Sequence, residues 1–137
     1  MSDIHLIEKP EELQAFVKKL KSQGRTVGVV PTMGALHAGH LSLVRASVGT
    51  ADETVVTLFV NPTQFAPHED FDKYPKQLES DLEQLEAFGR LVVFAPREDQ
   101  IYPVGFSTRV VPPDISKPLE GEFRPTFFEG VATIVLK

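Results

Sequence analysis

Two histidines, His37 and His40, stand three residues apart in the segment Pro31-Thr32-Met33-Gly34-Ala35-Leu36-His37-Ala38-Gly39-His40. Imidazoles at this spacing face one way once a helix has begun. Both can donate hydrogen bonds to phosphate oxygens, more strongly when protonated. Gly34 and Gly39 let backbone come close to a ligand. Three readings are open on spacing alone: a glycine-containing connection with incidental histidines, a metal site, or a nucleotide-phosphate site. A metal needs three or four ligands, and the nearest further imidazole, His68, is separated by a whole strand. The segment is neither the Gly-x-Gly-x-x-Gly dinucleotide fingerprint nor a P-loop, since no Lys-Ser or Lys-Thr follows.

A second group lies in Phe59-Val60-Asn61-Pro62-Thr63-Gln64-Phe65. Asn61 and Gln64 offer neutral donors and acceptors suited to the hydroxyls and carboxylate of a small polar acid. The competing reading is an Asn-Pro turn with Gln64 in solvent. Arg124, in a Pro-flanked loop, reads either as an anion partner or as a surface cation.

The elements that must position these groups are legible from periodicity. Leu13, Phe16, Val17 and Leu20 predict a helix over about Pro10 to Ser22, with Gly24 just past its end. Thr26 to Val30 is a short β-branched run, a buried strand that opens into the histidine turn. Leu41, Val44 and Val48 mark a helix over His40 to Val48, and Thr54 to Val60 a second strand stopped by Asn61-Pro62. Leu78, Leu82 and Leu85 mark a third helix ended by Gly89, and Leu91 to Phe94 a third strand stopped by Pro96. Alternating strands and helices predict an α/β, doubly wound parallel sheet. The histidine turn and the Asn61–Gln64 turn then share the carboxyl rim, where such sheets bind ligands and a helix N-terminus favours phosphate.

The chain has 137 residues, with 14 Lys plus Arg against 19 Asp plus Glu and a formal net charge of −5. This length fits one domain, residues 1–137, able to hide roughly two-thirds of its unfolded surface. Mild acidity argues against non-specific nucleic-acid binding. No apolar run is long enough to span a membrane, and Met1 to His5 lacks signal-peptide character. Without cysteine there is no disulfide framework, thiolate nucleophile or Cys-based zinc site. The missing signal and missing cysteine together favour the cytoplasm. Nine of the 11 prolines fall between Pro62 and Pro125, so the second half is richer in fixed loops. The chain ends inside the apolar run Val131 to Lys137 with no cap or stop signal, and so reads as a fragment of something longer. Its last strand is expected to keep an unpaired edge that favours association.

His-x-Gly-His in this place resembles the signature of the Rossmann-like adenylyl- and nucleotidyl-transferring superfamily. The wider sequence is similar to the pantothenate synthetases: Pro31 to Val44, Phe59 to Phe65, Glu69 to Pro75, Val93 to Pro96 with Ile101-Tyr102-Pro103, and Leu119-Glu120-Gly121 with Arg124-Pro125. The resemblance runs from about Thr26 to the last residue. It implies condensation of pantoate with β-alanine through a pantoyl adenylate, with ATP as substrate, Mg²⁺ on its phosphates, and AMP and pyrophosphate released. It also implies ATP binding by Met33, Gly34, Ala35, Leu36, His37, Ala38, Gly39 and His40, with His40 and His37 catalytic. Pantoate and β-alanine fall to Gln64, Asn61, Thr32, Met33 and Arg124, with no protein-held metal, and a homodimer is implied. The family's later Gly-Glu-Lys-Asp and Lys-Met-Ser-like segments and C-terminal lid are absent, so the 137-residue chain alone is expected to be weakly active or inactive. Two departures stand out: Phe127 replaces the family's usual His, and Lys76 its usual Arg. A nucleotidyltransferase sharing only the histidine motif, or a non-catalytic ligand-binding or dimerisation module, are the alternatives.

Overall fold

The computed structural model describes residues 3–65 and 77–137. These fall into two compact units, one of residues 3–60 with 77–101 and the other of 61–65 with 102–137.

The first unit is built on four parallel strands, β1 (Ile4–Ile7), β2 (Val27–Thr32), β3 (Glu53–Leu58) and β4 (Leu91–Phe94), in the order β1-β4-β3-β2. Helix α1 (Pro10–Ser22) carries the chain from one edge strand to the other; α2 (Ala38–Thr50) and α3 (Leu78–Glu86) join neighbours, and short α4 (Glu98–Ile101) follows β4. Period-two alternation along the strands sends side chains to two cores. On one face Val30, Val56, Leu91 and Val93 meet Leu36, Val44 and Leu85 from the α2 and α3 side. On the other, Ile7, Val55, Val92 and Phe94 take Leu13 and Phe16 of α1 and Ile101. Helices thus cover both faces, as the doubly wound reading requires.

Three details depart from the sequence reading. Strand β1 was not foreseen; it pairs Ile4 to Leu91 through Ile7 to Phe94. The last strand, β4, therefore lies between β1 and β3 and has no open edge. Strand β2 also continues through Pro31 to Thr32. It is an edge strand, and proline's missing N–H is tolerated there.

At the amino end of β3 the buried Glu53 carboxylate receives Arg25 Nη2 at 3.3 Å and Arg90 Nη2 at 2.6 Å. Either arginine alone can still neutralise the charge, so Arg25→Ala or Arg90→Ala singly is expected to cost about 1 kcal/mol. Together they strand a buried carboxylate, and we expect about 2 kcal/mol, discounted for the arginines' exposure. Urea denaturation of the three variants checks this; a double variant no worse than the singles would refute it.

The second unit contains a 3₁₀ turn (Pro62–Gln64), a second one (Asp114–Ser116), α5 (Glu120–Phe123) and α6 (Phe127–Leu136). The apolar run at the chain end is part of α6, which buries Gly130 and Thr133, three apart on one face. Among the described residues no helix is long and apolar enough to cross a membrane.

Candidate functional site

The histidine turn belongs to the first unit and is held by bonds within itself and by bonds to β3 and α3. The Thr32 hydroxyl, buried, donates to Thr57 O (2.7 Å) and accepts from Gly34 N–H (3.1 Å). It thus fixes the start of the turn. Gly34 (φ +83) and Ala35 (φ +50) are both left-handed, a conformation that suits glycine and strains alanine. The next two N–H groups, of Ala35 and Leu36, donate to the Asp81 carboxylate from α3 at 3.0 and 2.9 Å. Leu36 then buries its side chain in the core.

His37 is the N-cap of α2 and His40 lies in its first turn, one residue before Leu41, whose N–H donates to His37 O. Their caps are reciprocal. Gly39 N–H donates to His37 Nδ1 at 3.0 Å, and His37 N–H donates to His40 Nδ1 at 3.2 Å. A peptide N–H can only donate, so both Nδ1 atoms are acceptors. The neutral rings therefore carry their protons on Nε2. The rings stack with centroids 3.9 Å apart. Gly39 makes this possible, since a Cβ there would fall 2.8 Å from His37 Cε1. Its role is to admit an imidazole, not only a ligand. His40 is held below the usual histidine value of 6.5, first by desolvation and then by His37, with the Asp81 carboxylate opposing. The imidazoles are thus equipped as neutral Nε2–H donors; a proton on His40 Nδ1 would face the His37 N–H and break the cap.

The second group lies in the other unit. Asn61 is 1% exposed and every polar atom of its side chain is engaged. Its Oδ1 accepts from Thr63 N–H (3.2 Å), Thr63 Oγ1 (2.7 Å) and the Tyr102 hydroxyl (2.9 Å). The Thr63 peptide settles that this atom is the oxygen. Nδ2 consequently donates to Gln64 Oε1 (2.9 Å) and Gly130 O (3.1 Å). Gln64 must then present its other amide atom, the Nε2 donor, which has no hydrogen-bond partner among the described residues. Asn61 works through Gln64 and has no polar atom left for a ligand.

A family model described as Pantoate-beta-alanine ligase matches residues 5–137. The chain belongs to the pantoate-beta-alanine ligase family. A pantothenate synthetase of Aquifex aeolicus is 51% identical over 132 residues, covering 96% of this chain and 47% of that protein. One from Mesorhizobium japonicum is 50% identical over 137 residues, covering 100% and 48%. Among solved structures, the pantoate-beta-alanine ligase of Francisella tularensis, complexed with beta-gamma ATP and beta-alanine, aligns with a TM-score of 0.88 at 39% identity, over 97% of this chain and 51% of that one. The chain spans about half the length of the curated relatives it matches.

Of the two positions expected to depart from the family's usual residues, Phe127 has a clear place. Arg124 Nη2 donates to Gln64 O (2.8 Å), Nη1 to Glu120 Oε1 (3.1 Å), and the guanidinium lies 4.2 Å from the Phe127 ring centroid. The Phe127 ring holds the arginine by a cation–π contact, and the arginine holds the Gln64 backbone. Lys76, His68 and the Glu69–Pro75 stretch lie outside the described residues. Among the described residues, no three His, Asp or Glu side chains converge as a metal site. Sequence reasoning missed Asp81 and gave Tyr102 and Gly130 no role. The acidic residue between Ser80 and Leu82 was the available signal, because the Leu78, Leu82, Leu85 stripe puts its neighbours near the core.

Proposed function

We propose that this chain supplies the nucleotide- and acid-binding portion of an ATP-dependent ligase that joins pantoate to β-alanine. The observation that carries the reading is the reciprocal histidine cap, which leaves both Nε2–H groups for phosphate oxygens. The names and matched lengths of the relatives support the substrate assignment. In this scheme the pantoate carboxylate oxygen attacks the α-phosphorus and pyrophosphate leaves. The amine of β-alanine then attacks the acyl carbon, losing a proton, and AMP leaves. His37 and His40 donate to the oxygens where negative charge accumulates, an effect suited to preorganised dipoles. Gln64 Nε2 donates to the acid. Met33, half-buried at the turn, contributes apolar contact. Mg²⁺ bound to the triphosphate would offset part of its charge; we assign it no ligand among the described residues. A cytoplasmic setting and a homodimer complete the proposal.

The test is AMP release by the full-length protein from ATP and pantoate, with and without β-alanine. β-Alanine-dependent AMP formation is expected, and its absence would reject the assignment. Gln64→Ala is expected to weaken pantoate affinity roughly tenfold, the value of a hydrogen bond to a charged group. Gln64→Glu should be worse than Ala, because it sets an acceptor against a carboxylate; equal affinities would reject the donor role.

A further inference from the structure

The anion that fills the backbone cradle at the start of the histidine turn belongs to the protein itself. Two successive N–H groups, those of Ala35 and Leu36, converge on one carboxylate, and the residues just before Leu36 are left-handed. Concavities of successive peptide N–H groups bind anions, and in phosphate-binding loops that anion is the ligand. Here it is Asp81, 2% exposed, 45 and 46 residues away in sequence. Burying a carboxylate is unfavourable unless it is hydrogen-bonded or paired. No Lys or Arg makes an ion pair with Asp81 among the described residues, so the two peptide donors must compensate, aided by its place in the first turn of α3. The fit is close: a Cβ on Gly34 would lie 3.1 Å from Asp81 Oδ2.

We propose that Asp81 is the positioning residue of the histidine turn: by occupying the Ala35 and Leu36 N–H groups it holds a left-handed turn in place and sets where α2 begins, and with it the two imidazoles. The turn cannot hold itself. Ala35 pays for its left-handed backbone, and the turn's remaining internal bonds to Gly34, His37 and Gly39 all lie within the segment from Thr32 to His40. Thr32 anchors only the start of the turn, to Thr57 of β3; Asp81 ties its left-handed middle to α3. A consequence is that the Ala35 and Leu36 peptides are not available to nucleotide phosphate, which falls to the imidazole Nε2 atoms instead. This last step rests on the ligase reading above; the positioning role does not.

Amide hydrogen exchange of the 137-residue chain tests the positioning. Asp81→Asn sets an NH₂ group against one of the two peptide donors and removes the charge. Ala35 and Leu36 amides are expected to exchange roughly 10- to 100-fold faster, while Val56 and Val93 in the central strands stay protected, as local opening predicts. Asp81→Glu keeps the charge but moves the carboxylate by one methylene, and should fall between; it also serves if the Asn variant does not fold. Unchanged exchange at Ala35 and Leu36 in a folded variant would overturn the proposal. In the full-length enzyme, Asp81→Asn is expected to lower the adenylation kcat by roughly tenfold to 10²-fold with the pantoate KM unchanged, since misplacement by ~1 Å has costs of that order. A lost pantoate KM with kcat intact would also overturn it. A wild-type enzyme lacking β-alanine-dependent AMP release would reject the ligase reading and leave the exchange result standing.

Discussion

Gly130→Ala is expected to destabilise the second unit by about 3 kcal/mol, the upper part of the range for overpacking. The direction is diagnostic. Alanine in place of glycine within a helix ordinarily stabilises by up to ~1 kcal/mol. At Gly130, in α6, a Cβ would fall 2.3 Å from Thr63 O, 2.6 Å from Thr63 C and 2.9 Å from Gln64 N. All three are backbone atoms and none can rotate away, so the helix and the Pro62–Gln64 turn must part. That parting also breaks the Asn61 Nδ2 bond to Gly130 O, and with it the chain of bonds that aims the Gln64 amide. Gly49 in α2 is the control: a Cβ there meets nothing within 4 Å, so Gly49→Ala should be neutral or stabilising. Denaturation midpoints of both variants, with side-chain amide NMR signals of Asn61 and Gln64, check the pair of expectations. A Gly130→Ala protein as stable as Gly49→Ala would show that α6 does not press on that turn.

This contact shows what a sequence can and cannot disclose. The Pro10–Ser22 helix was readable to the residue, because an apolar stripe, a proline near its start and a glycine past its end agree. Strand β1 was not, because Ile4-His5-Leu6-Ile7 is four residues long with only Ile7 buried, too little for a period to emerge. The run Val131 to Leu136, β-branched and apolar, gave no sign of being helical; in the structure it lies in α6, which buries Gly130 and Thr133 on one face. At the site, residue types pointed to His37, His40 and Gln64, since phosphate and carboxylate chemistry needs such groups. Geometry then divided the candidates. Asn61, Thr32 and Leu36 are consumed by internal bonds or core packing, and they act by holding their neighbours. Asp81 offered only its place beside the Leu78, Leu82, Leu85 stripe as a signal; its partners are peptide N–H groups far along the chain, and a backbone donor leaves no mark on residue type.

Replacing His40 should have the largest effect on the chemistry. Preorganised donors to developing charge are worth roughly 10²–10³ in rate, so His40→Ala in the full-length protein is expected to slow adenylation by that factor while pantoate affinity changes little. Alanine removes two things at once, the Nδ1 acceptor that caps His37 N–H and the Nε2 donor. Two further variants separate them. Asparagine places an oxygen near the Nδ1 position and should keep the cap and the stability while losing the rate. Glutamine reaches toward the Nε2 position and should recover part of the rate with a weaker cap. Acid should act through the same atom. Because His40 in the folded chain lies below its usual 6.5, through desolvation and His37 against Asp81, the unfolded chain binds more protons there between the two values. Stability from this group is thus fully present above about 6.5 and is lost as pH falls through the folded value. Adenylation should hold near neutrality and decline in acid as protonation of Nδ1 opposes the His37 N–H. Imidazole ¹⁵N NMR read across a pH titration would show His40 with Nε2 protonated and Nδ1 bare until the decline begins. A His40 that titrates above 6.5, or a His40→Asn enzyme with single-turnover adenylation within threefold of wild type, would remove the neutral-donor role.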